Sequence, residues 1–132
     1  MVRPRHENPT PAELEVLQVL WERGPSTVRE VMTALDGHRP RAYTSVMSLM
    51  NVMADKGLLA SEPKGRAFVY SVTVSREKVR SGMVGDLLGR VFEGSASDLV
   101  AHLLERTEPD PREIEEIRKA IAEFEQKKGG RS

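Results

Sequence analysis

Apolar residues recur at helical spacing through the first part of the chain, and then the period changes. Leu14, Val16, Leu17, Leu20 and Trp21 fall on one face of a helix. Thr10-Pro11-Ala12-Glu13 precedes them with a hydroxyl at the N-cap, proline at the first helical position and glutamate at the third, the pattern of a capping box. Gly24-Pro25 stops the helix. A second helix is predicted from Ser26 or Thr27, with Thr27 and Glu30 forming another capping box and Val28, Val31, Met32 and Leu35 its buried stripe. Asp36 to Pro40 has turn composition. A third helix is predicted over Tyr43 to Lys56, with Val46, Leu49, Met50 and Met53 on one side and Thr44, Ser48, Asn51 and Asp55 opposite.

Gly57 ends that helix, and alternation replaces the helical period. Leu58 to Glu62 is predicted as a short strand, Pro63 to Arg66 as a hairpin turn, and Ala67 to Val72 as the returning strand, rich in aromatic and β-branched residues. Three short helices followed by a β-hairpin make a winged helix-turn-helix. The fold class expected is therefore mainly α with one small hairpin, with residues 1–74 as the winged-helix domain.

The rest, residues 75–132, is predicted helical and without a repeat. Ser75 can cap a helix carrying Val79, Met83, Val84, Leu87, Leu88, Val91 and Phe92. Ser95 or Ser97 can cap a short helix with Leu99, Val100, Leu103 and Leu104, and Asp110 opens a last one with a narrow seam of Ile114, Ile117, Ile121 and Phe124. Three such helices can hardly bury a core alone, so a second copy of the chain is the expected partner. The interface expected comprises Met83, Leu87, Val91, Leu99, Leu103, Ile114, Ile117, Ile121 and Phe124. Gly82, Gly85 and Gly89 interrupt the first of these helices. They are either local weak points or places where a neighbouring helix comes close.

Composition narrows the functional classes. The chain of 132 residues has no cysteine, which removes disulfides, cysteine–zinc sites and thiol catalysis. No signal peptide and no apolar run of membrane-spanning length is visible, so a cytoplasmic protein with no membrane partner is expected. His6, His38 and His102 are too scattered for a metal site, and no cofactor or enzymatic activity is expected. Net charge is zero, which taken alone argues against nucleic-acid binding. Its distribution points the other way: Arg39, Arg41, Lys56, Lys64 and Arg66 face only Asp55 and Glu62 in the same stretch.

The third helix is the main candidate for chemistry. Hydroxyls and an amide fill its outward face, where a solvated helix would carry lysine and glutamate. Serine and threonine can bond phosphates and base edges, and asparagine can pair with adenine through both side-chain atoms. Lys64-Gly65-Arg66 is either a polar turn or a wing whose cations reach phosphates. The DNA-binding residues expected are Arg41, Tyr43, Thr44, Ser45, Ser48, Asn51, Lys64 and Arg66. Arg3, Arg5 and His6 are either a flexible arm on DNA or a tail without a role. The alternative function is a winged helix that docks a protein partner rather than DNA.

Several stretches together resemble the penicillinase-repressor family. They are Ala12 to Leu17, Leu20-Trp21, Val28 to Val31, Tyr43 to Ser48, Lys56 to Leu59, Gly65 to Tyr70 and Phe92 to Ser95. The resemblance implies a winged-helix transcriptional repressor, dimeric through its C-terminal helices, on a palindromic operator of double-stranded DNA. It places the recognition helix at Tyr43–Lys56 and the wing at Lys64–Arg66. Val52 follows Asn51 where the family often has arginine, which removes a cation from the reading face. Without cysteine, the copper-sensing route of some members is closed. The β-lactam-responsive members imply a signalling protease as a further partner. Ala101-His102 stands where those members often carry an Asn-Phe bond.

Overall fold

A computed structural model describes residues 8–37 and 41–129. The candidate arm (Arg3, Arg5, His6), together with His38, Arg39 and Pro40, lies outside the described residues. The order is α1 (Pro11–Arg23), α2 (Val28–Leu35), α3 (Tyr43–Asp55), β1 (Leu59–Lys64), β2 (Ala67–Val72), α4 (Arg76–Val91), α5 (Ala96–Thr107) and α6 (Pro111–Gly129). Residues 8–85 and 86–129 fall into two compact units.

Both expected capping boxes form. Thr10 Oγ1 accepts from the Glu13 N–H at 3.1 Å, and Glu13 Oε1 accepts from the Thr10 N–H at 3.0 Å. Thr27 and Glu30 repeat the arrangement at 3.2 and 2.9 Å. Four otherwise orphaned donors at two helix starts are thus satisfied locally, each cap contributing about 1 kcal/mol. Val16, Leu17 and Leu20 from α1, Val28, Val31 and Leu35 from α2, and Val46, Met50 and Met53 from α3 form one core with Leu59 and Tyr70 of the hairpin. Leu49, expected in the buried stripe of α3, is only half-buried.

The strands are antiparallel, with Leu59 opposite Val72 and Lys64 opposite Ala67. The turn is tighter than the sequence suggested. Pro63 and Lys64 belong to β1, and Gly65-Arg66 alone make the reversal. Gly65 has φ +64° and Arg66 does not have positive φ, which excludes type I′ and fits a type II′ turn, whose twist suits a hairpin. A third strand segment one residue long joins the sheet: Ser26 N–H donates to Tyr70 O at 3.0 Å, and Tyr70 N–H returns a bond to Ser26 O at 2.8 Å. The hairpin is thereby fastened to the loop before α2. Beyond it, Trp21 Nε1 donates to Val74 O at 3.1 Å, and the Arg76 guanidinium lies over the Trp21 ring.

α5 begins at Ser95, whose hydroxyl accepts from the Asp98 N–H, so Ser95 rather than Ser97 is its cap. Asp110 Oδ1 accepts from the Glu113 N–H at the start of α6. No residue of α4, α5 or α6 is buried.

One ion pair ties α1 to the end of α3. Lys56 Nζ lies 2.7 Å from Glu13 Oε2, and the glutamate side chain is only 3% exposed. Burial by itself would raise the Glu13 pKa. The hydrogen bond from Lys56, the Thr10 N–H and the lysine charge outweigh it and hold the carboxyl below its ordinary value of 4.5. A depressed folded-state pKa contributes stability above the unfolded value, and that contribution is lost as pH falls through the folded value. Glu13→Gln should therefore lower the urea midpoint at pH 7. It should also flatten the loss of stability on acidification below about pH 4.5. Equilibrium urea unfolding at a series of pH values checks both. Leu17→Ala, which hollows the centre of the core, should cost about 2–5 kcal/mol in the same assay.

Candidate nucleic-acid interface

α3 presents its outward face because its inward face is fixed. Val46, Met50 and Met53 are wholly buried, and Thr44, Ser45, Ser48 and Asn51 are all exposed. The residue types on that face are short donors and acceptors. The helix start adds to them. Its N-cap is Ala42, no side chain caps the first turn, and no acid stands there. The positive end of the helix dipole is left uncompensated by side chains, which favours an anion nearby.

Tyr43 is 40% exposed, and the Arg29 guanidinium of α2 sits 5.2 Å from its ring centre. Arg29 is not among the DNA-binding residues expected from the sequence. The signal for it was positional, since it follows Val28 on α2 and points away from the buried stripe. A groove of about 470 Å³ runs between α3 and the hairpin, with Tyr43, Met47 and Asn51 on one wall and Arg66, Phe68 and Tyr70 on the other. Tyr43, Asn51 and Arg66 therefore come together. Lys64 is exposed at the end of β1, beside the turn. Phe68 is 55% exposed and lines the groove without having been singled out.

Two of the expected residues are already engaged. Arg41 is half-buried, and its Nη2 lies 3.2 Å from Glu15 Oε1 of α1. The guanidinium is thus oriented by a carboxylate, which reduces the charge it offers to a phosphate. Asn51 Oδ1 accepts a hydrogen bond of 2.8 Å from the Tyr70 hydroxyl. That bond uses one of the two lone pairs of the oxygen and fixes the plane of the amide, leaving the second lone pair and the Nδ2 donors for a base edge.

The seams of α4, α5 and α6 lie open in the single chain. Leu87, Val91, Leu103, Ile121 and Phe124 are exposed, with Val91 at 62% and Phe124 at 63%. Met83, Leu99, Ile114 and Ile117 are half-buried. Val84 and Val100 are exposed on the same helices and were not among the expected interface residues. Within one chain a Cβ at Gly82 would meet only Asn8 Oδ1, at 3.6 Å, and one at Gly85 or Gly89 would meet nothing. His102 is exposed, 5.2 Å from the Phe92 ring. Among the described residues no helix is long and apolar enough to cross a membrane.

The model of the penicillinase repressor family matches residues 9–123. The transcriptional regulator BlaI of Mycobacterium tuberculosis is 35% identical over 121 residues, which are 90% of this chain and 86% of that protein. The penicillinase repressor of Bacillus licheniformis is 25% identical over 117 residues, 89% of this chain and 91% of that one. Among solved structures, the transcriptional regulator Tm0710 from Thermotoga maritima is similar with a TM-score of 0.50, covering 94% of this chain and 79% of its own. At 18% identity that likeness concerns the fold.

Proposed function

The chain belongs to the penicillinase-repressor family, and from that membership we propose that it is a transcriptional repressor that binds a palindromic operator as a homodimer. The family is one of transcriptional regulators rather than enzymes. The observation that carries the reading is the exposed hydroxyl and amide face of α3, set beside a wing with Lys64 and Arg66. Thr44, Ser45, Ser48 and Asn51 enter the major groove. Tyr43, Arg41 and the start of α3 meet the flanking phosphates, and Lys64 and Arg66 hold the backbone at the wing.

The second copy is argued from apolar surface. Leu87, Val91, Leu103, Ile121 and Phe124 are each about half exposed in one chain, and Met83, Leu99, Ile114 and Ile117 continue the same stripes. Covering each exposed side chain would contribute roughly 1 kcal/mol. Residues 75–132 then act as the dimerising region and residues 1–74 as the reading head. Two heads related by a twofold axis suit a palindrome. The cytoplasm is the compartment in this reading.

Binding to promoter duplexes should weaken steeply with salt, as phosphate contacts require. Binding to no promoter fragment at any salt concentration would overturn the reading in favour of the protein-docking module. Lys64→Ala with Arg66→Ala should weaken binding on all duplexes alike and reduce the salt slope by about two. Unchanged affinity would remove the wing from the interface. Ile117→Asp should yield monomers in sedimentation velocity, whereas an intact dimer would place the interface elsewhere.

A further inference from the structure

The groove between α3 and the hairpin is positive. Two arginines line it, Arg29 from α2 and Arg66 from the wing turn, and among the described residues no aspartate or glutamate does. Arg29 is exposed, and no carboxylate among the described residues pairs with it. The acid next to it in sequence, Glu30, is committed elsewhere, its Oε1 accepting from the Thr27 N–H at 2.9 Å. What the Arg29 guanidinium meets is the Tyr43 ring, 5.2 Å from its centre. An aromatic face attracts the cation without neutralising it and leaves the N–H fork to an outside acceptor. Arg41 is the opposite case. It is closer to α3 in sequence, but it is half-buried and its Nη2 lies 3.2 Å from Glu15 Oε1. The cation offered outward beside the first turn of α3 is therefore Arg29 rather than Arg41.

We propose that Arg29 is a phosphate-binding residue held in place by the Tyr43 ring, and that one strand of the DNA backbone runs through this groove against Arg29 and Arg66. The proposal rests on the DNA reading by α3 set out above. With α3 in the major groove and the wing beside it, the strand that borders that groove passes between the two. A phosphodiester presents two anionic oxygens, which suits the planar fork of a guanidinium better than a point charge. Holding that fork on a ring before DNA arrives lowers the entropy lost on binding. Phosphate contacts position the protein without reading sequence, so Arg29 should act alike on every duplex.

The test uses the full chain on a duplex selected from a randomised pool, titrated over a range of salt concentrations. Arg29→Ala should weaken binding and lower the salt slope by about one for each half-site. Arg29→Lys keeps the charge and should retain the slope. Lys119→Ala removes an equal charge from the exposed surface of α6 and should leave the slope unchanged. Phosphates of the duplex are then replaced one at a time by uncharged methylphosphonates. One replacement in each half-site should weaken wild type about tenfold, the loss expected for a hydrogen bond to a charged group, and leave Arg29→Ala unaffected. Tyr43→Leu should bind about two- to fivefold more weakly than Tyr43→Phe, which keeps the ring, and the difference should vanish once Arg29 is alanine. An unchanged slope in Arg29→Ala, an equal loss of slope in Lys119→Ala, or the absence of any phosphate to which Arg29→Ala alone is indifferent would each overturn the proposal while leaving DNA reading standing. A difference between the two Tyr43 variants that persists without Arg29 would overturn the role of the ring. Failure of wild type to enrich any duplex would overturn the DNA reading itself, before any variant is compared.

Discussion

The winged unit depends on the burial of one stripe of α3. Val46, Met50 and Met53 have no exposed surface, and they share one core with residues of α1, α2 and the hairpin. A helix with one stripe held this tightly cannot rotate without taking large apolar side chains into water, at about 25 cal/mol for each Å² exposed. The opposite face is therefore fixed as firmly as the core. Two polar contacts brace it from either end of the unit's chain. Glu13 of α1 holds Lys56 just beyond the helix, and Tyr70 of β2 holds Asn51 within it. The position of the exposed face of α3 follows from packing on its opposite side.

Much of this was legible along the chain because it rests on local rules. Thr10 with Glu13 and Thr27 with Glu30 cap helices within four residues, and the stripes of α1 to α3 repeat with the helical period. The change of period after Gly57 marked the hairpin. What escaped depends on contacts between distant residues. The pairing of Ser26 with Tyr70 is a single bridge with no periodicity to reveal it. Arg41 carries the charge that suits a phosphate, but Glu15, far away in sequence, takes hold of it. Asn51 looked unengaged along the chain, and the tyrosine that donates to its oxygen lies on β2. Pro63 looked like a turn residue, yet β1 is an edge strand, where proline can sit.

The second unit shows the same rules with the opposite outcome. Its stripes are as regular as those of the first, and its caps at Ser95 and Asp110 form as expected. No residue of α4, α5 or α6 becomes buried, although α4 and α6 are longer than any helix of the winged unit. Periodicity identified the apolar faces, which stay exposed or half-buried among the described residues.

The claim that α3 is the element facing the bases can be measured directly, because the chain has no cysteine of its own. Ser45→Cys places one thiol on the exposed face of α3, where an iron chelate can be attached to cut nearby DNA. On a selected duplex, the expected result is cleavage confined to two clusters facing the major groove. These should be separated by about one helical turn, or a whole number of turns, of ~10 base pairs each. Diffuse cleavage, or cutting no stronger than that from a chelate on the exposed surface of α6, would contradict it.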